Sequence, residues 1–357
     1  MKNVKVILTG VALCATLFAA NQRINALGGD SGFWPNDRDN INYFPSSIND
    51  HAFVEIDGVG SAGGDTTDTG ESNDITATIL FGDDTKWGFS YDKGDSDSWF
   101  NLMWGSGDMG IKGGLVSSSV DGDDDGNSGF NFAYGQRFSW GELGVGLESG
   151  AHDMNGDFNN DQMNYWLNWR GDLGFWVFDK SKASLMMTDD GADGTSMTMG
   201  FDMFTHMDAG GADVLFGMGF GYSSNNAVGD WNHDSDTDVD GTGTANEDYE
   251  ASSTVLTLPS ATVAVEADIT DWATFRTFVN TDYTVSASCD DCADTGWAAD
   301  GYTGASTSFG MGLGFNWGGL TADMHISENL LQDPISYMTG YNGESLTSAG
   351  VTLTYSF

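Results

Sequence analysis

From about residue 51 onward, apolar and polar residues alternate in short stretches, and no convincing 3.6-residue apolar period interrupts them. Ile75, Ala77, Ile79 and Phe81 form one such stretch, and Phe130, Phe132 and Tyr134 another. The same pattern recurs at Met163, Tyr165, Leu167 and Trp169, and at Met197, Met199, Phe201 and Met203. It returns at Val214, Phe216, Met218 and Phe220, then at Leu320, Ala322, Met324 and Ile326. A period of two belongs to a strand with one apolar and one polar face. The pattern therefore predicts an all-β chain whose strands separate an apolar environment from a watery one.

The connections carry a second pattern. Long, acidic connections fall near 58–72, 92–97, 119–127, 150–160, 188–194, 223–251, 287–304 and 328–345. Short ones alternate with them, near Gly82-Asp83-Asp84, Gly105-Ser106-Gly107, Ser139-Trp140, Gly171-Asp172, Asp208-Ala209-Gly210, Thr270-Asp271 and Trp317-Gly318. This asymmetry is that of a transmembrane antiparallel up-and-down β-barrel of about 16 strands (14–18), with short periplasmic turns and long extracellular loops. A barrel without edges also pairs every backbone polar group inside lipid. Trp104, Trp140, Trp169, Trp272 and Trp317 lie beside short turns, while Tyr91, Tyr222 and Tyr283 lie nearer long loops, as two interfacial girdles require.

The last strand, Ala349 to Phe357, places Val351, Leu353, Tyr355 and Phe357 at alternate positions and ends on an aromatic residue. This resembles the terminal signature of bacterial outer-membrane β-barrels, which the barrel-assembly machinery reads. With the strand count, the region 51–357 resembles the porin family in general architecture. That resemblance implies an outer-membrane location in a Gram-negative bacterium, contact with lipid and lipopolysaccharide, and a homotrimer.

At the N-terminus, Lys2 and Lys5 precede an apolar run from Val6 to Ala20. The run is too short to span a bilayer as a helix and reads as a signal peptide over 1–20. Cys14 follows Leu13, which is too large for lipoprotein processing. Residues 21–50 then form a periplasmic lead-in or a short plug. Within them, Ala26-Leu27-Gly28-Gly29 and Phe33-Trp34-Pro35 distantly resemble the mature start of fatty-acid-transporter-like barrels.

Charge sharpens the picture. There are 53 acidic and 12 basic residues, a formal net charge of −41, which excludes a nucleic-acid binder because phosphates would be repelled. More than half of the acids lie in the long connections, where Lys93 is the one basic residue. An acidic rim of this kind concentrates cations. Asp236, Asp238, Asp240, Gly241 and Glu247 follow the spacing of a calcium loop, although Gly243 replaces the usual aliphatic residue. Asp121, Asp123 and Asp125 begin the same pattern without the closing acid, and Asp153, Asn155 and Asp157 form a weaker cluster. Calcium in the extracellular loops is thus the one cofactor the sequence suggests. Cys289 and Cys292, in an exported chain, suit a small loop disulfide.

Strand parity places Lys86, Lys112, Arg137 and Arg170 inward from the third to the eighth strand, with Glu148 among them. It places Asp202, Glu266, Asp268 and Asp323 inward from the tenth to the fifteenth. Opposed charges would set a transverse field across a pore, and 223–251 is the loop long enough to narrow it. Enzyme signatures are weak. His325-Ile326-Ser327 faintly resembles a barrel phospholipase, with Glu328-Asn329 departing from it, and Asp189-Asp190 resembles the paired acids of barrel proteases. The expectation is a non-enzymatic, cation-preferring channel for passive diffusion of small hydrophilic solutes. The alternatives are a structural or surface-interaction barrel with cation-binding loops, and a hydrophobic-substrate transporter.

Overall fold

The computed structural model describes residues 22–59, 75–93, 97–118, 127–152, 158–189, 194–230, 248–290, 301, 303–326 and 351–357. The signal segment 1–20 lies outside them. Strands β1 Phe53–Val59, β2 Ile75–Phe81, β3 Thr85–Lys93, β4 Asp97–Ser106, β5 Met109–Ser118 and β6 Asn127–Phe138 come first. They are followed by β7 Gly141–His152, β8 Phe158–Gly171, β9 Lys180–Asp189, β10 Thr195–Asp208 and β11 Ala212–Asp230. The last five are β12 Asp248–Thr270, β13 Ala273–Asp290, β14 Gly304–Trp317, β15 Leu320–Ile326 and β16 Val351–Ser356.

Each strand pairs antiparallel with its sequence neighbours, and β16 returns to β1, so the sheet is a closed sixteen-strand barrel. At the seam Phe53 faces Ser356, Glu55 faces Thr354 and Ile56 faces Leu353. Alternation decides the two faces. Leu102, Leu115, Phe132 and Leu167 are exposed on the outer wall, while the positions between them point into the lumen. Trp140, Trp272 and Trp317 are about half exposed on the short-turn rim. No helix among the described residues is long and apolar enough to cross a membrane.

Two connections differ from the sequence reading. The stretch 223–251 is not a free loop along its whole length, because Ser223 to Asp230 pairs with Asp248 to Val255 as the upper arms of β11 and β12. The sequence of these arms is mostly polar, so no apolar alternation marks them as strands; the remainder, 231–247, lies outside the described residues. Between β8 and β9 the chain does not turn at Gly171-Asp172. It runs from 172 to 179 before β9 begins, since the apolar sequence Phe175-Trp176-Val177-Phe178 leaves the sheet instead of joining it.

Residues 22–51 are packed inside the barrel. They form one helical turn, Gln22–Asn25, and three 3₁₀ turns, Ser31–Phe33, Arg38–Asn42 and Pro45–Asp50. Local side chains start these turns: Asp30 accepts from the Gly32 amide and Asp37 from the Asp39 amide, each at 2.8 Å. Asn40, with no exposure, donates to the Trp34 and Asp37 carbonyls at 2.7 and 2.9 Å and ties two turns together. The fold's main apolar cores lie between this plug and the wall. Ile24, Leu27, Phe33 and Trp34 pack on Phe204, Leu215 and Ala264, and Ile41 and Ile48 pack on Phe53, Leu80 and Met103.

Candidate functional site in the plugged lumen

The plug is seated too closely to be a casual occupant. A Cβ added at Gly110 would lie 1.9 Å from the Pro45 carbonyl oxygen, and one at Gly144 would lie 1.9 Å from that of Tyr43. Bare wall at these points lets the plug backbone rest against the sheet. Where the wall does carry side chains, charged ones grip the plug.

On one side, Arg23 pairs with Asp37 of the plug and, at 2.9 Å, with Glu266 of β12. Glu266 also accepts from Arg276 of β13 at 3.0 Å, and Arg276 reaches Asp323 of β15 at 2.8 Å. Arg38 of the plug closes this chain of charges, bonding Glu55 of β1 and lying 3.6 Å from Asp323. Asp323 is only 1 % exposed, so its charge depends on these partners. On the other side, buried Arg170 donates to Glu142 at 2.7 Å, to Asn40 Oδ1 at 2.9 Å and to the Gly32 carbonyl at 3.1 Å. Its guanidinium also lies 4.4 Å from the Phe44 ring. Arg137 bonds Asp50 of the plug and Glu142, and Ser46 donates to the same Glu142 at 2.6 Å. Lys182 bridges Asp30 of the plug and Asp202 of β10, at 2.6 and 2.8 Å. His206 spans plug and wall as well, with Nδ1 3.0 Å from Asp213 and Nε2 2.7 Å from the Phe33 carbonyl.

Two plug carboxyls feel opposite fields. Burial alone would raise Asp37, but Arg23 and Arg38 beside it hold it below the ordinary carboxylate value. Asp39 lacks such a partner: burial, then the negative Asp37 and Glu55, push it up to about 7.

The structure places the sequence-derived residues as follows. Lys112 donates to Asn42 of the plug at 2.7 Å; Arg137, Arg170, Asp202, Glu266 and Asp323 take the positions just described. Lys86 sits at the short-turn rim and donates to the Gly82 carbonyl at 2.6 Å, while Asp268, exposed, accepts from Thr274 at 2.8 Å. The expected separation of charge across the lumen is corrected. Lys182 lies beside Asp202, and Arg276 lies between Glu266 and Asp323, so among the described residues opposite charges neutralise locally instead of facing each other as two walls. Val351, Leu353, Tyr355 and Phe357 follow the outward parity of β16, with Tyr355 and Phe357 well exposed, while Thr352 and Thr354 between them are buried and bond Asp57 and Glu55.

Asp236, Asp238, Asp240 and Glu247 lie outside the described residues, as do the clusters from Asp121 and Asp153. Among the described residues no group of His, Cys, Asp and Glu is arranged to hold a metal ion. Cys289 lies in β13 opposite Ser253, and Cys292 is outside the described residues. His325 points inward from β15, and Ser327 is likewise outside.

Sequence reasoning missed Arg23, Arg38, Glu55, Glu142, Lys182, His206 and Arg276. One signal could have found the plug's seat: Leu80, Met103, Phe204 and Leu215 are apolar at inward positions, where alternation demands polar residues.

Above the plug most inward positions turn polar. Asn101, Asn131, Asn164 and Asp282 follow the inward parity, and Asn131 donates to Asn101 at 2.8 Å, while Trp99 and Val116 are apolar positions of the same parity. Asn280, lower down, donates to the Gly28 carbonyl of the plug at 3.3 Å. The geometry is thus a closed antiparallel barrel filled at one end and largely polar inside at the other. No protein-family model matches the sequence, and no curated protein is similar to it. Among solved structures, a bacterial polysaccharide outer membrane secretin aligns over 85 % of this chain and 97 % of its own, with 12 % identity and a TM-score of 0.51. BamA from Haemophilus ducreyi lacking POTRA domains 1–3 aligns over 87 % and 70 %, with 12 % identity and a TM-score of 0.38. The translocator domain of autotransporter NalP from Neisseria meningitidis aligns over 86 % and 87 %, with 11 % identity and a TM-score of 0.28. The chain has the fold of the bacterial outer-membrane β-barrels.

Proposed function

We propose that this protein is a cation-preferring outer-membrane channel for small hydrophilic solutes, held closed at its short-turn end by its own N-terminal plug. The observation that carries the reading is the largely polar upper lumen: Asn101, Asn131, Asn164 and Asp282 line it, with Trp99 and Val116 as apolar exceptions, where a hydrophobic-substrate transporter needs a continuous apolar pocket. A barrel of this size has room for an aqueous channel. Cation preference follows from the charges left over. Lys112, Arg137, Arg170, Lys182 and Arg276 are held against carboxylates or the plug, whereas Asp282 and the acidic rim stand above it. In this reading residues 1–20 direct export, the terminal strand is recognised by the barrel-assembly machinery, short turns face the periplasm and no catalytic step is involved.

The packing of the plug favours one second reading, a permanently closed barrel whose loops serve surface contact. Planar-bilayer recording under a potassium chloride gradient separates the two. The channel reading expects rare openings of the full chain, large stepwise currents from a variant lacking 22–50, and reversal potentials favouring cations in both. A folded plug-less barrel that stays silent would overturn it.

A further inference from the structure

The connection between β8 and β9 is unlike its neighbours on the short-turn rim. It runs from 172 to 179, whereas the turn before it is 139–140 and the one after it is 209–211. It does not hang from the rim. Ser181 faces outward, because its neighbour Lys182 grips the plug, yet it is fully buried, and its hydroxyl donates to the Leu173 carbonyl at 2.6 Å. Phe178, 4 % exposed, stacks on outward-facing Phe216 of β11 with centroids 5.5 Å apart. The connection therefore folds back over the outer wall, across β9 and β10 to β11.

Its tip is a tight turn closed by reciprocal N–H···O bonds between Phe175 and Phe178, at 2.9 and 3.0 Å. Trp176 there has φ +57°, a left-handed conformation in which glycine is the natural occupant and a bulky side chain is strained. The strain maintains an unusual display. Trp176 is 84 % exposed and Phe175 68 %, flanked by Leu173 at 58 % and Val177 at 49 %. Asp172, paired with Lys180 at 3.1 Å, and Asp179 close the apolar run at its two ends. Such a patch marks a surface that meets an apolar partner.

We propose that residues 172–179 form a membrane-inserted strap, a second apolar layer outside the wall that enters the lipid leaflet on the short-turn side. The proposal rests on the reading of the outer wall as lipid-facing. Two observations select lipid over a soluble partner. The strap lies against the wall and so presents its tip sideways, into whatever surrounds the barrel. It is also continuous, through Phe216, with the exposed apolar band of the strands. An amphipathic indole at the boundary of that band suits the headgroup level.

The test uses the full chain with all three cysteines replaced, Cys14→Ser, Cys289→Ser and Cys292→Ser, refolded into phosphatidylcholine vesicles. A nitrobenzoxadiazole probe is attached at Trp176→Cys, at Val177→Cys, at Phe132→Cys on the mid-wall, and at Asp271→Cys in an ordinary turn. The strap predicts strong quenching at 176 and 177 by nitroxide-bearing lipid, and several-fold lower accessibility to aqueous iodide than at 271. Iodide access at 176 and 177 equal to that at 271, with 132 still quenched by lipid, would overturn the strap alone. Loss of lipid quenching at 132 too would overturn the wall reading and the strap with it. Shielding that vanishes as protein is diluted in lipid would assign the surface to a second copy, also against the proposal.

Discussion

The two ends of the lumen are built by opposite rules. At the short-turn end the wall meets the plug in three ways: bare glycine against its backbone, charged side chains such as Arg170 and Lys182 against its polar groups, and Leu80, Met103, Phe204 and Leu215 against its apolar residues. At the other end the inward residues are mostly amides, hydroxyls and acids, with Trp99 and Val116 among them, and neighbouring side chains such as Asn101 and Asn131 bond to one another. The lower wall is complementary to one peptide, whereas the upper wall is suited to water. One barrel thus holds a binding site and an aqueous vestibule in series, and the permeability of the whole is set by whether the site keeps its own chain.

The strongest way to break this contrast is to delete 22–50. Stepwise currents should replace near-silence in a planar bilayer, because the lower wall then faces water as the upper wall does. Next in size is Arg276→Ala, which leaves Asp323 buried without its main partner and should cost roughly 3–5 kcal/mol. Urea or thermal unfolding in detergent would register the loss, and pairing the change with Asp323→Leu should recover part of it. Gly144→Val places side-chain atoms where the Tyr43 carbonyl sits and should cost about 1–3 kcal/mol from overpacking. Limited proteolysis should then cut within 22–51 faster than in the parent chain.

A subtler effect follows from Asp39, whose value of about 7 lies above its ordinary 3.8. The seated plug favours the protonated form, so seating weakens as pH rises from near 4 to near 7, and the loss is complete above that. Open probability should be higher at pH 8 than at pH 5, and Asp39→Asn should flatten the difference. The smallest expected change is at Asp282→Asn: removing one inward acid from the vestibule should move the reversal potential slightly toward non-selectivity without altering plug proteolysis.

The barrel was legible because lipid and water impose a period of two, and because long and short connections cannot interchange without turning the sheet over. The eight-and-seven alternation of connections therefore specifies sixteen strands before any contact is known. Legibility failed where that constraint lapses. Ser223 to Asp230 carries no apolar face, so its pairing with β12 leaves no trace in hydropathy. Residues 175–178 are apolar throughout, as a buried strand would be, yet they fold onto the wall instead of into it. Six of the inward charges, Lys112, Arg137, Arg170, Asp202, Glu266 and Asp323, could be placed from parity, but not their partners. Arg23, Arg38, Asp30 and Asp50 belong to a segment without periodicity, and only three-dimensional closure brings them to the wall.

The way the plug joins the two ends of the chain bears on how the barrel is put together. Arg38 holds β1 through Glu55, while the Gln22 amide donates to Thr352 of β16, a contact spanning 330 positions. The first and last strands are thus fastened through a third body as well as through their own ladder. A cylinder closed around such a mandrel has its register at the seam held from within as well as along the ladder. Once docked, that strand is latched on its inner side, and sideways parting of the seam would have to break plug contacts too.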